Sequence, residues 1–512
     1  MTTEKNTLIE LLKNRSGDKV AFSAPNQSDL SYSGLIELIE ETAAALASAG
    51  VERGDKVAIV LPNGPEAATA FLAAAHIAVA APLNPAYTQD EFAFYLQDLG
   101  AKLVICDDAA GLAAAAAAGL GIRVVSIERK ASAGQFSLKL SGEKNGIATN
   151  AGPDDACMVL HTSGTTSRPK IVPLTHRNIC ASAHNIAATL NLTADDRTVN
   201  IMPLFHIHGL IAAVLSSLSA GASIYCTPGF NAMKVFSWFE EAHPTWYTAV
   251  PTMHQAILTR AGRNEEVIAG TTLRFIRSSS SSLPPQVMAA LEETFRCPVV
   301  EAYGMTEAAH QMTSNPIAHG TQKPGSVGSA AGPEVAIYCD GEIGTKADLL
   351  GEIVISGDNV TKGYEANEKA NAESFIADPD SERTWFRTGD QGRFDADGYL
   401  YITGRLKEII NRGGEKISPR EVDEILMDHE AVLQAVTFAV PHKQLGEDVA
   451  AAVKLKDGCT LEQSELKSFA RERLAGFKVP RQIVILDEIP KGPTGKLQRI
   501  GLAEKLGLKD AQ

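Results

Sequence analysis

The chain has little of what marks a secreted, membrane-spanning or nucleic-acid-coating protein. Its seven cysteines, Cys106, Cys157, Cys180, Cys226, Cys297, Cys339 and Cys459, are odd in number and scattered. No C-x-x-C spacing occurs, so neither a disulfide framework nor a cysteine zinc site is indicated. A reducing compartment fits best. No run of about 18 apolar residues exists, which excludes a spanning helix. The first residues, Met1-Thr-Thr-Glu-Lys-Asn-Thr7, lack an apolar signal core, and Lys509-Asp-Ala-Gln512 is not a Ser-Lys-Leu address. The expected location is cytoplasmic. Positive charge is in short supply: 47 Lys and Arg face 61 Asp and Glu, a net −14. That argues against non-specific nucleic-acid binding, although a local basic cleft can still hold phosphates.

What is present is an ordinary globular composition. The 512 residues are 45% hydrophobic and 21% charged, enough for two or three domains with a large core. Apolar periodicity predicts a helix over 35–49, a buried strand over 55–61 and an alanine-rich helix over 66–81. The stretch 109–120 is nearly all alanine and glycine and reads as a surface helix. Further strands are expected at 157–160, 198–202, 222–226, 245–250, 273–276 and 299–303, with helices at 178–191 and 210–220. Short apolar strands alternating with helices predict an α/β fold of mostly parallel sheets covered by helices. Residues 334–404, rich in Gly, Asp and β-formers with frequent turns, predict an antiparallel β subdomain. Residues 405–512 have the size of a small separate α+β domain. The expected division is therefore 1–404 and 405–512. No internal repeat is evident.

The most informative stretch is Leu160-His-Thr-Ser-Gly-Thr-Thr-Ser-Arg-Pro-Lys170. After an apolar strand, the hydroxyls of Thr162, Ser163, Thr165 and Thr166 surround Gly164, and Arg168 and Lys170 close the segment. Glycine lets backbone amides approach an anion, hydroxyls donate to phosphate oxygens, and the cations offset charge. This is triphosphate-loop chemistry, but it is not a Walker loop: Pro169 precedes Lys170 and Ile171 follows it. Taken alone, the segment reads as well as a polar turn. Four later stretches have similar double readings. Tyr303-Gly-Met-Thr-Glu307 places Thr306 and Glu307 where the expected strand meets an expected helix, either as phosphate and Mg²⁺ contacts or as an N-cap and first-turn acid. In Thr388-Gly-Asp390 the Asp can accept ribose hydroxyls or close a turn. Gly404-Arg-Leu-Lys-Glu-Ile-Ile-Asn-Arg-Gly-Gly-Glu-Lys-Ile-Ser-Pro419 carries a glycine pair that lets a ligand chain pass bare backbone. Lys491-Gly-Pro-Thr-Gly-Lys496 ends on a lysine in a Gly/Pro turn.

In this order and register the five motifs resemble the acyl-adenylate-forming superfamily, which includes acyl-CoA synthetases, luciferases and peptide-synthetase adenylation domains. The likeness spans nearly the whole chain. Ser167 and Ile171 depart from the commonest form, which has glycine at both places. The resemblance implies ATP, Mg²⁺ and coenzyme A as cofactor and co-substrates. It implies nucleotide contacts from Thr162, Ser163, Gly164, Thr165, Thr166 and Lys170. It adds Glu301, Ala302, Tyr303, Gly304, Met305 and Thr306, with Asp390 at the ribose and Arg405 at ribose and phosphates. Glu307 is implied as the Mg²⁺ carboxylate, Lys407 as the hinge, and Gly413 with Gly414 as the loop over the CoA arm. Lys496 is implied as the mobile catalytic lysine, with Thr306, Glu307 and His206 as the other catalytic residues.

The acid is read from polar residues expected at strand ends. They are His206 and His208 in Phe205-His-Ile-His-Gly209, Arg277 with Ser280 and Ser281, and His310, placed one helical turn beyond Thr306. A buried dianion needs several donors. His206 and His208 could instead be metal ligands, but no third ligand is suitably spaced. With Ser167-Arg-Pro-Lys170, these stretches resemble the oxalate–CoA ligases among the superfamily. The expected activity is oxalyl-AMP formation with pyrophosphate release, then transfer to CoA. Rival readings are a ligase for a short dicarboxylic, aryl or medium-chain acid, a nucleotide-binding regulator without turnover, and a carrier-loading domain. No nucleic-acid or membrane partner is expected.

Overall fold

The computed structural model describes residues 7–13, 16–140, 148–162, 169–318, 320–378, 381–491 and 497–508. Four β-sheets organise them. The first is nine-stranded. Its central run is parallel throughout, from Val20–Ser23 through Ser223–Cys226, Arg197–Asn200, Trp246–Ala249 and Phe275–Ser279 to Val299–Met305. The second is seven-stranded and parallel from Arg123–Arg129 through Leu103–Cys106, Lys56–Val60 and Val79–Pro82 to Ala156–Thr162. The strands are mostly short apolar runs because both faces are covered: all four residues of Leu103–Cys106 are buried.

The main core joins faces of these two sheets to the helices Tyr32–Ser48, Pro65–Ile77 and His176–Thr189. Pro65 opens its helix at the first position, where a missing N–H does no harm. Small alanines then let the helix lie fully inside, with all 13 residues buried. The helix Leu112–Gly119 is the surface helix expected, with Leu112, Ala115, Ala118 and Gly119 exposed, while Ala113, Ala114, Ala116 and Ala117 are buried in a second layer on the seven-stranded sheet. Alanine there marks close packing rather than low information.

The third sheet, antiparallel as its turns predict, holds Glu334–Cys339, Glu342–Gly344, Gly351–Ser356, Phe375–Ala377, Thr384–Phe394 and Leu400–Arg405. The fourth holds Ile410–Arg412, Glu415–Ile417, Val432–His442, Gly446–Leu455 and Gln482–Ile485. Its apolar clusters contain only residues from 410 onward. Contacts from this sheet and its helix Pro419–Met427 to the rest include Arg420 donating to the carbonyls of Ile402 and Gly325, and Gln255 donating to that of Leu433. Gln286 also meets Asp428.

Two expected helices differ. The 210–220 helix starts earlier and opens as a π-helix, His208–Leu215, before one α turn-and-a-half, Ser216–Ala220. Gly209 sits so tightly that a Cβ would meet the Pro203 carbonyl oxygen at 2.3 Å. Beyond Met305 there is no long helix: a 3₁₀ turn, Thr306–Ala308, leads at once into the antiparallel strand His310–Ser314. His310 therefore lies on a strand, not on a helix face shared with Thr306. Gly304 is what permits this pairing, since a Cβ there would meet the His310 carbonyl oxygen at 2.0 Å. Among the described residues no helix is long and apolar enough to cross a membrane.

Candidate active site

One cluster gathers the residues expected at the nucleotide. Asp390 is buried within the long strand Thr384–Phe394 rather than at a strand end. Its register partner across the sheet is Arg405. The Arg405 Nε donates to Asp390 Oδ1 at 2.9 Å, and the Tyr303 hydroxyl donates to Oδ2. The Asp390 carboxylate raises the Arg405 guanidinium further above its ordinary range, with burial opposing. Burial, and then Asp390, keep the Tyr303 phenol protonated. Nearby, Glu307 is buried in the 3₁₀ turn and its Oε1 accepts from the Tyr364 hydroxyl at 2.8 Å. Burial raises the Glu307 carboxyl, while its own backbone amide, Tyr364, Arg405 and Lys170 pull it back. Lys170 Nζ stands 4.2 Å over the Tyr364 ring.

The strand Ala156–Thr162 pairs with Lys170–Thr175, Thr162 opposite Lys170. Ser163, Gly164, Thr165 and Thr166, assigned to the phosphates, lie outside the described residues, as does Lys496. Mg²⁺ is a hard cation that takes carboxylate and ligand oxygens. Glu307 offers one carboxylate, and no group of three or more His, Cys, Asp or Glu that could hold a metal ion occurs among the described residues. A magnesium ion at Glu307 would have to complete its shell from phosphate oxygens and water, which suits a nucleotide-borne ion.

A second cluster forms on the parallel strands of the first sheet, where Arg277 lies in the middle of Phe275–Ser279 rather than after its strand. Arg277 is fully buried, and its register neighbour is Thr248. Its Nη1 reaches Thr248 Oγ1 at 3.5 Å, and its Nη2 reaches Gln311 Oε1 at 3.2 Å and His310 Nδ1 at 3.5 Å. None of these partners is a carboxylate, and Arg277 Nε has no hydrogen-bond partner. Among the described residues no carboxylate forms an ion pair with it. Burial alone draws the guanidinium down to about 9. Acceptance at His310 Nδ1 requires that ring's proton to sit on Nε2. His208, also buried, lies between two hydroxyls, with Thr248 Oγ1 2.6 Å from Nε2 and Ser280 Oγ 3.0 Å from Nδ1. The two imidazoles meet edge-on with centroids 5.0 Å apart. His206 Nδ1 accepts from the His208 amide at 3.3 Å.

Arg277, His208, His310 and Ser280 thus come together as expected, with His206 adjoining. Ser281 is exposed and is not part of the cluster. Ser280 holds a left-handed φ of 73°, the sharp turn that aims its hydroxyl back at His208. The Glu301 side chain does not reach toward Asp390: its Oε1 accepts from the Leu283 amide at 2.9 Å and so fixes the end of the serine loop. Burial raises its carboxyl to about 7. Ala302 contributes its carbonyl, which accepts from Ser279 Oγ at 2.8 Å. Lys407, Gly413 and Gly414 are exposed. The glycines form the two-residue turn between Ile410–Arg412 and Glu415–Ile417, with φ of 60° and 99°. Sequence reasoning missed Thr248, Gln311 and Tyr364. The first is recognisable only once its strand is known to neighbour that of Arg277.

The family model of the AMP-binding enzyme matches residues 10–365, and that of the AMP-binding enzyme C-terminal domain matches residues 421–496. The oxalate–CoA ligase of Arabidopsis thaliana is 45% identical over 511 residues, 97% of this chain and 98% of that protein. The oxalate–CoA ligase of Saccharomyces cerevisiae is 40% identical over 481 residues, 89% and 87% of the two chains. Among solved structures, ATP-bound MatB from Rhodopseudomonas palustris superposes with a TM-score of 0.87 at 28% identity, covering 98% of this chain and 99% of that one. Over the same shares, the apo form of MatB gives 0.77.

Proposed function

This chain belongs to the AMP-binding enzyme family, and from that premise we propose that it is an ATP-dependent acid–CoA ligase acting on oxalate. In the first half-reaction an oxalate oxygen attacks the α-phosphorus of ATP, the bond to the bridging oxygen breaks, and pyrophosphate leaves. In the second, the CoA sulfur attacks the acyl carbon, the thiol proton passes to solvent, and AMP departs with the anhydride oxygen, leaving oxalyl-CoA. The protein supplies position and charge. Asp390 and Arg405 address the ribose and phosphates, and Lys170 with the residues before it addresses the triphosphate. Glu307 would hold Mg²⁺, which offsets the charge of the phosphate oxygens. Lys496 bridges the attacking oxygen and the α-phosphate.

The two units are read as 1–404 and 405–512. The second swings about Lys407 after adenylation, withdrawing Lys496 and bringing Gly413–Gly414 toward the path of the thiol. The polar contacts that reach across to Gly325, Ile402 and Leu433 suit such a motion. The better superposition on the ATP-bound than on the apo form of MatB supports reading the present arrangement as that of the first half-reaction. A cytoplasmic enzyme is the reading that fits the reduced cysteines.

Oxalate rests on one observation: Arg277, a cation buried without a carboxylate partner among the described residues. An uncompensated buried charge is strongly unfavourable, and a second carboxylate on the substrate removes the imbalance. His310 and the neighbouring imidazoles and hydroxyls supply the direct donors. A fatty or aryl acid brings no such second charge. Acid-dependent pyrophosphate release, measured over oxalate, longer dicarboxylates, benzoates and medium-chain acids, tests this. Oxalate is expected to give the highest kcat/KM, and no response to oxalate rejects the assignment. AMP binding without acid-dependent release would instead identify a nucleotide-binding regulator.

A further inference from the structure

A strap that follows the strand Gly351–Ser356 of the third sheet, residues 357–365, runs between the two elements that carry Lys170 and Glu307. Asn359 Nδ2 donates to the carbonyls of Ala308 and Gln311 at 2.8 and 3.0 Å. The Thr361 amide donates to the Glu307 carbonyl at 2.7 Å, while Thr361 Oγ1 donates to that of Pro173 at 2.8 Å. The Glu365 amide donates to the Ile171 carbonyl at 3.0 Å. The strap therefore sews the strand Lys170–Thr175 to the turn Thr306–Ala308. Tyr364 is its central side chain. Its backbone is clamped by one amide: the Tyr364 N–H donates to Asn371 Oδ1 at 2.7 Å, and Asn371 Nδ2 donates back to the Tyr364 carbonyl at 2.9 Å. Gly363, with φ 142°, leaves room for that clamp, since a Cβ there would come within 2.9 Å of Asn371 Oδ1.

The held phenol then does two things at once. Its hydroxyl donates to Glu307 Oε1, and its ring face lies under the Lys170 ammonium. The Lys170 ammonium attracts the Glu307 carboxylate, yet each touches the phenol. The phenol keeps them apart and gives each a partner that a phosphate–metal group does not displace. We infer that Tyr364 is a positioning residue that sets Glu307 and Lys170 as separate holds on one nucleotide, so that the magnesium-dependent part of nucleotide binding passes through its hydroxyl. This rests on the reading that Glu307 holds Mg²⁺ and Lys170 a phosphate.

The test is calorimetric binding of ATP alone, with neither oxalate nor CoA present, in Mg²⁺ and in EDTA, for the parent, Tyr364→Phe and Tyr364→Leu. The parent is expected to bind ATP more tightly with Mg²⁺ than with EDTA. Tyr364→Phe should reduce that Mg²⁺-dependent gain about tenfold, the scale of a lost hydrogen bond to a charged group, with EDTA binding within about twofold of the parent. Tyr364→Leu, which also removes the ring, should weaken EDTA binding a further two- to fivefold, roughly the scale of a cation–π contact. A merely structural role would weaken both conditions equally, and that result, or an undiminished gain in Tyr364→Phe, overturns the inference. Absence of any Mg²⁺ gain in the parent overturns the reading of Glu307 and the inference with it. Should Tyr364→Leu misfold, the phenylalanine variant decides alone.

Discussion

Arg405 and Arg277 stand on neighbouring clusters and are kept in opposite conditions. Arg405 is half-exposed on an antiparallel edge, in register with Asp390, and has a carboxylate at 2.9 Å. Arg277 is fully buried in the middle of the parallel strand Phe275–Ser279, with Thr248 and Gln311 among its partners. One arginine is raised by its acid and the other lowered by burial. The nucleotide side is thus balanced before any ligand arrives, and what binds there exchanges partners with groups already satisfied. The acid side is left one negative charge short. A site of the first kind sets affinity by geometry; a site of the second kind selects by charge, because only an anion with a spare carboxylate restores balance.

The largest effect is expected from Lys496, which lies outside the described residues. Lys496→Ala should slow oxalyl-AMP formation by roughly 10²–10³-fold, the loss typical of one preorganised donor in a transition state. Transfer to CoA from supplied oxalyl-AMP should change far less. Single-turnover assays of each half-reaction check this, and an unchanged adenylation rate would remove the mobile lysine from the mechanism.

Next in size is Arg277→Met, the direct attack on the contrast. Truncating a buried charged donor on a ligand typically costs about 2–5 kcal/mol, so kcat/KM for oxalate should fall at least about 30-fold with the KM for ATP nearly unchanged. Stability should move the other way: with the desolvated cation gone, the melting midpoint should equal or exceed the parent's. The pH dependence follows with a definite sign. The folded-state value is drawn down to about 9, below the ordinary arginine value, so burial of the cation penalises the fold below about 9. That penalty is relieved as pH rises above it. Activity runs in reverse, because the deprotonated guanidine no longer calls for a dianion. In the parent, kcat/KM for oxalate should decline above about pH 9, and the Met variant should lack that limb. A limb that persists would assign it elsewhere.

The same contrast shows where sequence reading succeeds. Arg405 was legible because it sits in a long contiguous motif and Asp390 because Thr388-Gly-Asp390 precedes it in the same order, and their contact follows from two strands joined by a short turn. His208 and Ser280 were legible as polar residues following apolar strands, since parallel strands empty on one side. Arg277 was legible in the same way, although its strand runs on to Ser279. His310 was placed in the right cluster by the wrong element. The sequence Thr306-Glu-Ala-Ala-His310 has helical composition, and the strand that replaces the helix depends on a backbone approach at Gly304 that no periodicity reports. Glu301 was assigned to the nucleotide by its neighbours, whereas strand alternation and burial turn it toward Leu283. Thr248 and Gln311 were invisible because their meaning comes from lateral neighbours far away in the chain. Tyr364 lay in an unremarkable turn, and only the folded strap reveals what it touches.

The smallest of these effects should come from Asp390, and its smallness is the point. Asp390→Asn keeps the shape, can still accept one ribose hydroxyl, and removes the charge that faces Arg405. The Arg405 side chain is 42% exposed, so water takes up much of the lost pairing and the fold should lose little, as for other exposed ion pairs. The ribose hydroxyls lose a charged acceptor, which at a bound ligand is worth about one factor of ten. The KM for ATP should therefore rise about tenfold, with the KM for oxalate within about twofold and the melting midpoint nearly unmoved. If Asp390→Asn instead impaired oxalate as strongly as ATP, the clusters would share one electrostatic balance. Arg277 could then no longer be treated as a selector separate from the nucleotide, and a balanced Arg405 would owe its state to the acid site as well.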